Sequence, residues 1–353
     1  MQLRPSISRS HRSLVAFSVL ELLVAVTIMT FIIFALYGMF HQTQKALRAN
    51  IVQVDVQESG RAAIEMIARD LEGLLASHLE NETNFFAAIG PIDRTSNPPI
   101  GPAVPLVQTD LDPTVSRFLR TNILQEFFFL NKETNRWIGL GYKVMDSHDV
   151  SDPKNGILTD DDVIGTLYRF STNSRYLRGA NPATGRLETN FFINAFLHEK
   201  LTNLTTRLPS TNLHRVIDGV VHLRLTTFDG AGRPLNFNTT NTWPSLLIFR
   251  SDAAGVSGGP PYSVRDVREA TVILRQESVR NLPLQLQETS FAFLSNALPA
   301  YVEVELGIVE PAIWEQAKSM RAGPPGQVRK YLNEQAARIH LFRQRIPIRT
   351  AVQ

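Results

Sequence analysis

Residues 14–40 are apolar except for one charge, Glu21, which sits near the start of the stretch. Residues 22–40 would make about 28 Å of helix at ~1.5 Å per residue, the thickness of a bilayer core. Beyond them the pattern becomes periodic. Ile64, Ile67, Leu71, Leu74 and Leu75 recur at helical spacings, and Leu47, Ile51 and Val54 extend the stripe backwards. Gln57, Glu58, Arg61, Glu65, Arg69, Asp70 and Glu72 interleave with them, and no proline interrupts residues 47–79. The pattern predicts one helix from residue 17 to about residue 77, roughly 90 Å long. Its first half would sit in lipid and its second half would pack on a globular head. Gly38 and Gly60 are its weak points, each costing up to about 1 kcal/mol against alanine.

Prolines 91, 98, 99, 102, 105 and 113 then crowd one short stretch. Such density predicts a Pro-rich loop over residues 81–120, leading to a β-rich head over residues 121–353. In the head, β-branched and aromatic runs bounded by Gly, Asn, Asp and Pro predict strands at 124–130, 137–144, 166–171, 190–196, 216–228, 246–250, 270–275, 301–308 and 339–348. Two of them alternate clearly. Val221, Leu223 and Leu225 oppose His222, Arg224 and Thr226, while Val302, Val304, Leu306 and Ile308 oppose Tyr301, Glu303 and Glu305. Half-buried antiparallel strands produce this alternation. The expected fold class is α+β, a long N-terminal helix packed on an antiparallel β-sheet head.

At 353 residues the chain has room for one large domain or two modest ones after the span. A net charge of +3 gives no support for an electrostatic nucleic-acid binder, so no nucleic-acid partner is expected. Cysteine is absent, so no disulfide contributes to stability.

Glu21 is the chemically informative position. A carboxylate at the centre of a membrane helix costs roughly 2.5–3.5 kcal/mol on insertion scales, so it persists where something pairs with it. The natural partner is a new α-amino group, made by cutting between Ala16 and Phe17 behind a leader that carries Arg4, Arg9 and Arg12. An ordinary secretory signal has an apolar core of about 7–15 residues and a small-residue cleavage site after it. Here His41, Gln42, Thr43 and Gln44 follow instead. A plain single-pass anchor stays open, but it gives Glu21 no purpose. Lys45 and Arg48 follow the span, so the positive-inside bias is slight; it favours a cytoplasmic leader, residues 1–16, with the bulk of the chain outside.

The run Ala16-Phe17-Ser18-Val19-Leu20-Glu21-Leu22-Leu23-Val24-Ala25 resembles the class III signal of type IV pilins and type II secretion pseudopilins. The resemblance implies that a prepilin peptidase cuts between Ala16 and Phe17, where the family prefers Gly at the first of these. It implies that Phe17 becomes the N-methylated terminus, and that Glu21 is the assembly carboxylate, pairing with the ammonium of a neighbouring subunit. Residues 17–80 would be the long helix of a pilin-like fold. The partners implied are other pilin or pseudopilin subunits, met through the N-terminal helix, and the inner membrane, with the head in the periplasm.

A narrower likeness lies further along. Glu58-Ser59-Gly60-Arg61-Ala62-Ala63-Ile64 through Arg69-Asp70-Leu71 resembles the helix of the minor pseudopilin J family. So do Val216-Ile217-Asp218-Gly219-Val220 with its Asp229-Gly230 turn, and Leu298-Pro299-Ala300-Tyr301-Val302-Glu303-Val304. The chain is longer than typical members, with inserts near residues 81–120, 145–165 and 230–295, and is similar in that to large pseudopilin-like proteins of multi-gene cassettes. Arg61 and Asp70 are either contacts to neighbouring subunits or merely solvated, the commoner fate of charges on an outer helix face.

Other motifs lack their context. Gly255-Val256-Ser257-Gly258-Gly259 fits the esterase pattern, but Pro260-Pro261 stand where a helix should begin. Asp146, His148, Asp149, Asp152, Asp160, Asp161 and Asp162 gather around Asn155-Gly156; calcium there is a weak possibility, because the spacing fails the EF-hand template. The histidines are scattered without zinc spacing. No catalytic residue and no cofactor are therefore expected. The reading is a non-enzymatic minor pseudopilin of a type II secretion or type IV pilus-like assembly. Two other classes stay open: a minor pilin that binds DNA or surfaces, favoured by a basic groove, and a membrane-anchored periplasmic enzyme, which needs a pocket of convergent polar groups.

Overall fold

The computed structural model describes residues 18–79, 82–90, 106–109, 118–146, 158, 163–180, 185–202, 209–235, 247–250, 263–266, 291–321 and 323–349. The chain divides into two units, Met1–Gln53 and Val54–Gln353. Helix α1, Val19–Glu72, begins in the first and ends in the second. The second unit holds the strands β1 (Thr83–Ile89), β2 (Leu106–Thr109), β3 (Phe118–Asn122), β4 (Gln125–Glu133), β5 (Arg136–Met145), β6 (Gly165–Ser174), β7 (Gly179–Ala180) and β8 (Leu187–Glu188). Helix α2 (Phe191–His198) and β9 (Leu213–Phe228) follow, then β10 (Leu247–Arg250), β11 (Ser263–Asp266), β12 (Phe291–Leu294) and β13 (Tyr301–Val309). Helices α3 (Pro311–Met320) and α4 (Gln327–Glu334) precede the last strand, β14 (Ile339–Pro347).

Ten strands form one sheet in the order β11-β10-β12-β1-β4-β5-β6-β9-β13-β14, antiparallel except where β10 meets β12. It curls. Leu124, just ahead of β4, bridges Leu223 of β9 although β5 and β6 lie between those strands in the order. The fold class is thus α+β, with a long apolar N-terminal helix and a curled antiparallel sheet.

The central strands are apolar on both sides because both faces are covered. Phe85, Phe127 and Phe129 share a core with Val56, Ala63, Ile64, Ile67, Ala68 and Leu71 of α1. Phe86, Phe128 and Phe170 on the opposite face meet Phe192, Ile193, Phe196 and Leu197 of α2. A third cluster joins Ile313, Trp314 and Ala317 of α3 and Val328 and Leu332 of α4 to Val163, Ile164, Val221 and Val309. Burying Ile64, Ile67 and Leu71 alone contributes on the order of 5 kcal/mol at the usual 1.5–3 per side chain. The expected stripe on the second half of α1 is therefore the face beneath the sheet. Leu75 is half-buried, and the backward extension is not buried at all: Leu47, Ile51 and Val54 are exposed.

The helix stops at Glu72, short of residue 77. A side chain at Gly73 would collide with Asn131, and the Leu75 N–H donates to the Leu130 carbonyl (3.0 Å), so β4 takes over the chain here. Gly60 is no weak point by accident: a Cβ there would collide with the Phe342 ring. Gly60→Val is expected to cost about 1–3 kcal/mol by overpacking. The double variant with Phe342→Ala should cost less than the two single changes summed, read as thermal midpoints.

Three strand expectations need correction. Residues 190–196 are not a strand but mostly α2, because Phe192, Ile193, Phe196 and Leu197 bury at helical spacing while Asn190 turns the chain with φ 61°. The buried Lys143 also caps this helix, its ammonium donating to the carbonyls of Phe196 (2.7 Å) and Glu199 (3.1 Å). Residues 81–120 are not simply a loop: β1 is a central strand lying ahead of the first proline, and β2 pairs with β3 after Pro105. Val221 does not face the same way as Leu223 and Leu225. Opposite β13 the register slips from His222–Gly307 to Val220–Ile308, so Val221 is the extra residue of a bulge and turns toward α3 and α4. The run at 270–275 lies outside the described residues.

Candidate functional site

Helix α1 starts on Ser18. Its carbonyl accepts the N–H groups of Glu21 (3.0 Å) and Leu22 (3.2 Å), and its Oγ accepts the Glu21 N–H (3.3 Å). Ser-x-x-Glu is the capping-box spacing, and a carboxylate in the first turn is favoured by the helix dipole. Ser18 and Glu21 are both exposed. Ala16 and Phe17, together with Arg4, Arg9 and Arg12, lie outside the described residues.

Around Glu21 the surface is apolar. Val19, Leu20, Leu22 and Leu23 are exposed, as are Phe31, Phe34, Tyr37 and Phe40 further along. The hydroxyls of Thr27 and Thr30 do not relieve this, because each donates back to its own helix, to Leu23 O and Val26 O at 2.8 Å. This is one helix long and apolar enough to cross a membrane. In a membrane, a carboxylate in such a segment is stabilised by a counter-charge.

No match was found. Neither protein-family models, nor curated proteins, nor solved structures resemble this chain closely enough to count as relatives.

Asp70 is the residue whose role the sequence concealed. It was a candidate for contacts to neighbouring subunits or for plain solvation. Instead, within the second unit, Asp70 accepts the Tyr142 hydroxyl (2.6 Å) and both Nε (2.6 Å) and Nη2 (3.2 Å) of Arg169. The bidentate pair ties α1 to β5 and β6, and it is mostly buried, with side-chain exposures of 15% and 25%. Burial, followed by the Asp70 charge, pushes the Tyr142 hydroxyl well above the usual phenol range. The hydrogen bond it donates to Asp70 holds the Arg169 guanidinium all the more firmly protonated. Arg61, by contrast, is exposed.

Charged groups also line β9, β13 and β14. Arg343 Nε stands 3.3 Å from Glu305, Arg345 Nε 3.4 Å from Glu303, and Arg224 Nη1 3.8 Å from Glu305. His222 accepts the Ile123 N–H on Nδ1 (3.0 Å) and turns Nε2 toward Glu305 (3.5 Å). That hydrogen bond, with the nearby Arg224 and Arg343 charges, holds the Glu305 carboxyl below the usual range against the opposing effect of burial.

Of the acidic patch, Asp146 alone is among the described residues. Asp146 of the acidic patch is engaged by Arg321, which also donates to the Ile164 carbonyl (2.8 Å). His148, Asp149, Asp152, Asp160, Asp161 and Asp162 lie outside the described residues, as does Ser257. Among the described residues no group of three His, Asp or Glu side chains is placed to hold a metal ion.

Proposed function

We propose that this chain is a non-enzymatic, pilin-like subunit of an envelope assembly, a minor pseudopilin of a type II secretion or type IV pilus-like system. The observation that carries the reading is Glu21, a lone exposed carboxylate in the first turn of an apolar helix whose later residues, from Val56 to Leu71, pack beneath a β-sheet. Removal of the leader before Phe17 would create an ammonium group four residues ahead of that carboxylate. Within one subunit the two groups share one helix end; between subunits, the ammonium of one chain neutralises Glu21 of the next. In a low-dielectric surrounding such a pairing is what makes a membrane-buried carboxylate tolerable. The head would then remain outside the inner membrane, where it meets partner subunits.

Mass spectrometry of the N-terminus tests the reading. The protein is extracted from membranes after co-expression with a prepilin peptidase. A chain that begins at N-methylated Phe17 is the expected result. An intact leader, under conditions where a control prepilin is cut, would refute pilin-type processing.

A further inference from the structure

β14 ends the sheet order, and among the described residues no strand bonds to its outer edge. It is nine residues long and pairs with β13 in unbroken register, from Tyr301–Pro347 to Val309–Ile339. Long regular edges invite a further strand, and proteins blunt them by shortening, bulging, covering, proline or charge. Here the strand is neither short nor bulged, its proline is the last residue, and Leu341 stands 48% exposed. Charge is the guard that the described residues show. Arg343 and Arg345 are 59% and 47% exposed, Arg349 follows at 76% with Nη2 3.5 Å from Glu72, and β14 carries no carboxylate.

That guard is selective. A second copy laid edge to edge about Gln344 would set Arg343 opposite Arg345, and about Arg343 would set Arg343 opposite itself, and like charges directly opposite are destabilising. The inner edge shows what β14 accepts. β13 sets Glu305 opposite Arg343 and Glu303 opposite Arg345, with Val302, Val304 and Leu306 alternating between them. Arg345 also lies over the Phe228 ring of β9, 4.0 Å from its centroid, but each guanidinium carries five N–H donors, more than its carboxylate contacts employ.

We propose that the outer edge of β14 is a docking site for an extended strand of a partner protein that carries carboxylates at alternate positions and apolar residues between them. Main-chain hydrogen bonds to the edge supply affinity, and the arginines select the acidic strand. The site belongs to the second unit and does not depend on how the N-terminal helix is processed or assembled.

Hydrogen exchange on the full-length protein in detergent tests this, with a nine-residue peptide copying residues 301–309 as the probe. At saturating peptide, the β14 amides not bonded to β13 are expected to slow by about tenfold or more, as newly hydrogen-bonded amides do. A peptide with Glu303→Lys and Glu305→Lys should give no slowing. Nor should the acidic peptide on the Leu341→Asp protein, whose change lies on an exposed position and leaves the core intact. Any of three results overturns the proposal: no slowing, equal slowing by the lysine peptide, or loss of protection in β9 because the peptide has displaced β13. Slowing that appears without peptide and grows with protein concentration would assign the edge to a second copy instead.

Discussion

Glu21→Ala or Glu21→Val is expected to leave membrane insertion intact and to abolish incorporation into the fibre. The first half follows from where the side chain stands, and the second from the proposed role of its carboxylate. The cap at Ser18 uses the backbone N–H of Glu21, which either variant retains, so the helix start survives the change. Removing a charge from an apolar span also makes insertion easier, by up to roughly 2.5–3.5 kcal/mol at the helix centre and by less near its end. Assembly is affected oppositely. In the proposed assembly a variant subunit would leave a neighbour's ammonium in a low-dielectric surrounding without its counter-charge, and breaking a buried ion pair on one side costs about 3–5 kcal/mol. At ~1.4 kcal/mol per tenfold, incorporation should fall by at least about a hundredfold. The measurement compares the subunit in sheared fibres with the subunit in membranes, in cells that express the remaining subunits. Normal incorporation of either variant would sink the assigned role of Glu21.

The sequence announced Glu21 because its signal is local: one charge within a run that otherwise holds none. The α1 core face was legible for the same reason, since Ile64, Ile67 and Leu71 follow a period that only a half-buried helix explains. Strands whose two faces differ, such as β13, were also found with nearly their observed bounds. What escaped depends on the rest of the fold. Residues 190–196 form an apolar run too short for periodicity to separate strand from helix, and the choice was settled by contacts with Phe128 and Phe170. β1 was hidden beside the prolines, and Val221 was turned by a bulge that no alternation pattern reveals. Helix α3 had a readable start, with Pro311 at its first turn, but its strand-like lead-in from β13 masked it. Asp70 was beyond local reading altogether, because its partners Tyr142 and Arg169 lie 72 and 99 residues away.

Asp70→Ala is expected to destabilise the second unit by about 2–4 kcal/mol, somewhat less than the ~3–5 kcal/mol for removing one member of a fully buried ion pair, because Arg169 keeps some solvent. The loss has two sources. Arg169 retains a charge between β6 and α1 without a carboxylate to match it, and the Tyr142 hydroxyl, fully enclosed, loses its acceptor. For a unit of this size ~3 kcal/mol corresponds to a fall of roughly 6–12 °C in the thermal midpoint. Tryptophan fluorescence follows it, since Trp137 and Trp314 lie within the unit. A solvated or subunit-binding Asp70 would behave differently, shifting the midpoint of the isolated subunit by less than about 0.5 kcal/mol equivalent, as exposed pairs do. The second variant, Asp70→Ala with Arg169→Met, removes the orphaned charge as well. It should recover part of the loss, because the cost lies in leaving one partner buried alone more than in the pair itself. An additive double variant would mean that Asp70 and Arg169 do not act together, and the clasp between α1 and the sheet would then rest on apolar packing alone.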